Sequence, residues 1–258
     1  MKELFKNGIK GFVMALAIAL ISGIGAVTVS AGTLTADLDG DGKKEQIVWD
    51  EDDPDTITVN STEVLKAADV SSSDFYPDYF EVSVIDTCKK DKYKEICVVS
   101  WLEGLHDYYL FRYDNGKITK YAVIVDADEI LTVKTKNRIK VRTYVFVQGI
   151  GNIRVDEVYK VKNGKATLKT KTFKPNGKNA TKTFKSQKEM IIFKSNDWAK
   201  VAGTVKPGEK FTLVKFTRNS NGQFTNLYIK TASGKKGWIN TSDYGFAGFI
   251  IENPPLWD

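Results

Sequence analysis

The sequence predicts a mostly β protein, and three observations carry that reading. Short runs rich in β-branched and aromatic residues recur along the chain, Asn-Gly pairs sit between such runs, and the one helical candidate is only a turn or two long. The 258 residues are 42% hydrophobic and 12% aromatic, enough for one large domain or two ordinary ones with cores of their own, which excludes a disordered chain. Six prolines, twenty glycines and 27% charged residues exclude collagen-like and low-complexity classes.

Taken in order, the first element is a leader. Lys2, Lys6 and Lys10 against Glu3 make a basic start, an uncharged stretch runs from Gly11 to Val29, and Val29-Ser30-Ala31 offers small residues at the cleavage positions. The pattern predicts a secretory signal peptide over residues 1–31 and a secreted, extracellular mature chain with no membrane segment. Left uncut, an apolar run of about 19 residues is also long enough to anchor in a bilayer.

Strands are predicted over Glu45–Trp49, Phe80–Ile85, Glu95–Trp101, Tyr108–Tyr113 and Tyr121–Val125. The helical candidate runs from Ser61 to Ala68, where Ser61 or Thr62 can cap a turn containing Glu63, Leu65 and Ala67. Asn115-Gly116 and Asn163-Gly164, each flanked by strand-like runs, predict two hairpins. Around Lys174-Pro175-Asn176-Gly177 the apolar periodicity fades, so the expected division is an acidic β domain over 32–174, a linker over 175–184 and a second domain over 185–258.

Charge follows its own division. Residues 32–131 hold 10 basic against 23 acidic side chains, a net of −13, and residues 132–258 hold 25 against 8, a net of +17. The overall +6 therefore averages two opposite halves.

The acidic half contains Asp37-Leu38-Asp39-Gly40-Asp41-Gly42-Lys43-Lys44-Glu45, with carboxylates at positions 1, 3, 5 and 9 and glycine at 6. Clustered oxygen ligands suit a hard cation, calcium rather than zinc. The alternative is a solvated acidic turn. An EF-hand is excluded because position 12 is Val48 and a strand, not a helix, follows. The loop resembles the FG-GAP and VCBS-type repeats of extracellular proteins, in which such a loop leads directly into a strand. That resemblance implies side-chain ligation of calcium by Asp37, Asp39, Asp41 and Glu45, with the Lys43 carbonyl as a backbone ligand; Glu45 stands where Asp is usual.

A weaker copy follows at Asp86-Thr87-Cys88-Lys89-Lys90-Asp91-Lys92-Tyr93-Lys94-Glu95, with Asp86, Asp91 and Glu95 as candidate ligands. Asp126-Ala127-Asp128-Glu129 reads as a third remnant. Repetition of this kind suggests propeller blades, yet the length holds only two or three, so the expected form is incomplete propeller-like or open antiparallel sheets. In an exported protein two cysteines suggest a disulfide between Cys88 and Cys97, with two separate thiols as the alternative. His106 is the single histidine, so His-rich zinc sites are excluded and nothing in the sequence orients a Cys-His nucleophile.

In the basic half, Met190–Phe193, Val205-Lys206-Pro207-Gly208-Glu209, Asn226–Lys230 and Gly234-Lys235-Lys236-Gly237-Trp238-Ile239 occur in an order that resembles a bacterial SH3-like (SH3b) domain. The resemblance implies a small β-barrel over 185–258 that docks on cell-wall peptidoglycan or holds a protein partner. The Asn-Val-Arg-x-Gly-Pro segment common in such domains is replaced by Phe193–Trp198. Trp198, Tyr228 and Trp238 are the candidate ligand platforms, with core packing as the alternative for Trp238. Lysine outnumbers arginine 21 to 4 in this half and no nucleic-acid motif is present, which disfavours nucleic acid and favours an anionic wall polymer.

The expectation is a non-catalytic, secreted, cell-envelope-associated binding protein stabilised by calcium. One alternative is a self-assembling, accessory or inhibitory protein joining its opposite halves head to tail. The other is a glycoside hydrolase using paired carboxylates, for which no spacing separates catalytic groups from calcium ligands.

Overall fold

Alternating side chains and tight turns organise the chain from Ala31 to Leu168 as three successive antiparallel meanders of four strands. The computed structural model describes residues 31–50, 53–64, 79–102, 105–244 and 248–255. The predicted signal peptide, apart from Ala31, lies outside them. So do residues 65–68 of the predicted helical turn, whose start at Thr62–Glu63 is strand instead. Among the described residues no helix is long and apolar enough to cross a membrane.

The first meander comprises β1 (Ala31–Ala36), β2 (Glu45–Asp50), β3 (Asp53–Val59) and β4 (Thr62–Glu63). The second comprises β5 (Tyr79–Ile85), β6 (Glu95–Leu102), β7 (Leu105–Asp114) and β8 (Lys117–Ile124). The third comprises β9 (Glu129–Leu131), β10 (Arg138–Val147), β11 (Gly151–Lys162) and β12 (Lys165–Leu168). Both predicted hairpins are present, joining β7 to β8 and β11 to β12, and their Asn-Gly residues all have positive φ as a type I′ turn requires.

The meanders stack face to face. On β6, Ile96 and Val98 point into a core shared with Leu38, Ile47, Ile57 and Val59 of the first meander. Cys97 and Val99, one residue out of phase, point into a second core shared with Ile139, Val141 and Val161 of the third. A strand covered on both faces has no solvent side, which is why the run from Ile96 to Val99 is continuously apolar rather than alternating. Backbone bonds add to the stacking, because the loop after the first strand of each meander is tied to the equivalent loop of the next: Lys94 donates to the Leu38 carbonyl (2.9 Å) and Val133 to the Thr87 carbonyl (3.0 Å). In the third meander that place is held by residues 132–137, which carry no carboxylate. The acidic stretch Asp126–Glu129 leads into β9, whose first residue is Glu129, instead of following it, and is not an equivalent loop.

Seven further strands follow: β13 (Thr172–Phe173), β14 (Thr183–Lys185), β15 (Met190–Phe193), β16 (Val201–Val205), β17 (Lys210–Arg218), β18 (Phe224–Thr231) and β19 (Lys236–Asn240). Their order is β16-β15-β19-β18-β17, with β13 and β14 both on β17. The barrel implied by the sequence resemblance is not closed. Among the described residues β16 pairs with β15 alone, and the turn at 206–209 that follows it bonds to Ser186, through Gly208 N–H to its carbonyl (2.7 Å) and its N–H to the Glu209 carbonyl (3.0 Å).

The predicted linker, residues 175–184, holds a 3-10 turn at Gly177–Ala180, and the sheet and its core run across it. Val147 of β10 pairs with Phe224 of β18, and Val147, Ile150, Ile153 and Val155 share one core with Phe173, Phe184, Phe211 and Phe216. Residues 248–255 complete that core. Ile250 exchanges bonds with Gly149 and Gln187 (2.8 and 2.9 Å), Ile251 bridges Ser186, and the Pro255 carbonyl accepts from Asn152 (2.7 Å). Ile250→Ala removes a fully buried side chain at this joint. We expect it to cost about 3 kcal/mol in denaturant unfolding, with the transition remaining single rather than splitting in two.

Candidate functional site

The first acidic loop is shaped by its own carboxylates accepting backbone N–H groups. Asp37 accepts from Gly40 (Oδ1, 2.7 Å) and Gly42 (Oδ2, 3.2 Å), Asp39 from Asp41 (Oδ1, 3.1 Å), and Glu45 reaches back to Leu38 (Oε2, 2.8 Å). Gly40 has φ of 70°, and a Cβ there would stand 2.8 Å from the Lys92 carbonyl of the second loop, so both conformation and space demand glycine.

This folding gathers Asp37, Asp39 and Glu45, whose oxygens lie within 4.8 Å of one another; Asp39 and Glu45 are buried. Oxygens bound at about 2.3–2.6 Å to one ion stand no more than about 5 Å apart, so the spacing and the all-oxygen chemistry of these three residues are compatible with a hard cation such as calcium. They form the one such carboxylate cluster among the described residues. Asp41, predicted as a ligand, lies outside the group: its Oδ1 accepts from the Lys43 N–H (2.8 Å) and its Oδ2 is 3.7 Å from Lys43 Nζ. Asn115, in the β7–β8 turn, was not legible as a participant. Its N–H donates to Asp39 Oδ2 (3.1 Å), so the site touches the second meander as well as the first.

The second loop keeps the framework but not the cluster. Asp86 accepts from Cys88 N–H (2.9 Å), Asp91 from Tyr93 N–H (3.3 Å) and Glu95 from Thr87 N–H (3.1 Å). The space between Asp91 and Glu95 is taken by Arg112, a residue no local motif flags. Burial pushes the Glu95 carboxyl above the usual carboxylate range, with Arg112 pulling against it.

Cys88 and Cys97 are both buried and both free, so the predicted disulfide is absent. Cys88 is held by a backbone bridge to Val133, whereas Cys97 sits in β6 between Ser83 and Leu110 and packs against the third meander. Burial pushes the Cys97 thiol up to about 12, which keeps it protonated and poorly nucleophilic at neutral pH. Along the β6–β7 ladder Cys97 faces Leu110 while His106 faces Trp101, and about 13 Å of strand separates the two places.

The predicted aromatic platforms form a row across the C-terminal sheet. Phe193 of β15 lies opposite Trp238 of β19, which lies opposite Tyr228 of β18, which lies opposite Lys215 of β17. The Tyr228 and Trp238 rings are 5.3 Å apart, and Lys215 Nζ stands 5.0 and 5.2 Å from their centroids. Trp198 extends the row at its other end, edge-on to Phe193 at 5.4 Å. These aromatics are half-buried on the face opposite the core that holds Ile192, Leu227, Ile229 and Ile239. The row depends on Gly237, where a Cβ would meet Ile192 and the Phe193 carbonyl at 2.4 Å, so only glycine lets β15 and β19 approach. Phe193 and Lys215 are additions to the predicted set.

No protein-family model matches the chain, and no curated protein or solved structure matches it.

An ion that binds the folded chain alone at Asp37, Asp39 and Glu45 would stabilise it by about 2.7 kcal/mol at a hundredfold excess over its Kd. For a chain of this size we expect a rise in melting temperature of about 5–10 °C on going from chelator to millimolar calcium, lost in Asp39→Asn. Equal melting in chelator and calcium rejects the site.

Proposed function

We propose that the chain is a non-catalytic binding protein of the cell envelope, exported, stabilised by calcium at its first loop, and docking through its C-terminal aromatic row on cell-wall polymer. The observation that carries this reading is the row Trp198–Phe193–Trp238–Tyr228 with Lys215 at its end. Half-buried aromatic faces offer apolar area to a sugar ring while remaining reachable from solvent. Lys215 beside the rings, on a half of the chain with 25 basic against 8 acidic residues, adds attraction to phosphate or carboxylate groups of a wall polymer. The order of motifs that resembles an SH3-like module, the basic leader with its apolar stretch, and the loop resembling FG-GAP and VCBS repeats support the same reading.

Co-sedimentation of the full chain with purified cell wall tests it. Tyr228→Ala and Lys215→Ala are each expected to weaken retention, the aromatic change by about thirtyfold if it removes a central contact, with far-UV spectra and melting preserved. Raising salt should weaken retention further, through the lysine contribution. Retention that is indifferent to both substitutions, or absent in the native chain, rejects the docking role of the row.

A further inference from the structure

We infer that the second loop is a cation site whose cation is supplied by the chain itself, the Arg112 guanidinium. The comparison with the first loop uses the calcium reading proposed above; the contacts of Arg112 stand independently of it.

The two loops share one framework. Four residues before the glutamate, Asp41 and Asp91 each accept the N–H two residues on, at 2.8 and 3.3 Å. Each glutamate uses its Oε2 to accept an N–H from the residue just past the first aspartate of its loop, Leu38 for Glu45 (2.8 Å) and Thr87 for Glu95 (3.1 Å). The difference lies in what faces the remaining oxygens. Six residues before the glutamate the first loop has Asp39, and the second has Lys89. Into the second loop Arg112 projects from β7, with Nη2 2.6 Å from Glu95 Oε1 and 3.0 Å from Asp91 Oδ2, and Nε 2.7 Å from Glu95 Oε1.

The guanidinium is seated as an ion in a site rather than as a surface partner. The Glu95 and Asp91 side chains are 0% and 7% exposed and that of Arg112 16%. The Tyr121 ring covers the guanidinium at 3.8 Å and Tyr93 flanks it at 5.0 Å. Beside it lie the buried Thr87 and Tyr121 hydroxyls, and Thr87 interacts with both Glu95 and Tyr121. Two buried carboxylates whose counter-charge has been removed, with hydroxyl oxygens beside them, are the kind of all-oxygen set a hard divalent cation takes once the guanidinium is gone. Arg112 therefore makes the junction of the second and third meanders independent of metal, and leaves calcium control to the junction of the first and second.

The test uses the full chain, with calcium titrated by calorimetry and terbium read by luminescence sensitised through Tyr93 and Tyr121. The native chain is expected to bind one ion, and Asp39→Asn none. Adding Arg112→Ala to Asp39→Asn restores one ion, which Glu95→Gln abolishes. Arg112→Lys keeps a positive charge and gains no ion. Arg112→Ala alone melts lower, and millimolar calcium recovers part of the loss; if it folds only with calcium, that supports the inference equally. A second ion in the native chain that Glu95→Gln removes overturns it. So does a folded Arg112→Ala or Arg112→Gln chain that gains no ion, or an Arg112→Ala chain that calcium does not help. If the native chain binds no calcium while Arg112→Ala binds one, the reading of the first loop fails and this one stands.

Discussion

Each of the first two meanders buries a glutamate carboxylate at the start of its second strand, and much of the architecture follows from having to accommodate it. Glu45 and Glu95 are 5% and 0% exposed. A carboxylate removed from water is tolerated only where hydrogen bonds and an opposite charge replace the solvent. Both glutamates answer the first need in the same way, by accepting an N–H from the loop that precedes them, and this closes the loop. Closing it presents the Leu38 and Thr87 carbonyls outward, where the next loop in sequence bonds to them. Charge compensation, loop shape and stacking of meanders are thus one problem solved twice, with calcium as the proposed counter-charge in the first loop and arginine in the second.

Much of this was legible in the sequence because it is local. The Asn-Gly turns, the strand of Ile96–Val99 and the Asp-x-Asp-Gly-Asp-Gly spacing are properties of fewer than about ten consecutive residues, and tertiary context had little room to override them. What was not legible depends on distant residues. Asp41 looks equivalent to Asp39 in the loop, yet only Asp39 lies where Asn115 of another meander can donate to it. Arg112 sits 17 residues beyond Glu95 in an ordinary-looking strand. Cys88 and Cys97 flank one short loop, and sequence proximity says nothing about the opposite demands made on them, one bridging Val133 and one packing under the third meander.

The division of charge has a different meaning in the fold from the one it has along the chain. The change of sign near residue 131 falls inside the third meander, between β9 and β10. Acidic residues just before it face basic ones after it: Glu129 Oε2 lies 2.8 Å from Arg142 and Asp128 Oδ2 3.8 Å from Arg154. Arg142 also joins Lys140 on Asp156, so the outward face of β10 and β11 is laced with ions. Part of the opposite charge is therefore neutralised within one chain. A polar outer face is also what a terminal repeat needs, since among the described residues no fourth meander covers it.

The segment at 248–255 bears on the order in which the chain can fold. Within a meander every strand pairs with its sequence neighbour, so those contacts close short loops and form early. The bond between Ile250 and Gly149 closes a loop of roughly a hundred residues, at an entropic cost of about 4 kcal/mol that no contact offsets until the core around Phe173 and Phe216 has assembled. Docking of this segment is accordingly a late event. Until it happens the third meander and the C-terminal strands are two partly formed surfaces sharing an unfinished interior, open to water and to other chains.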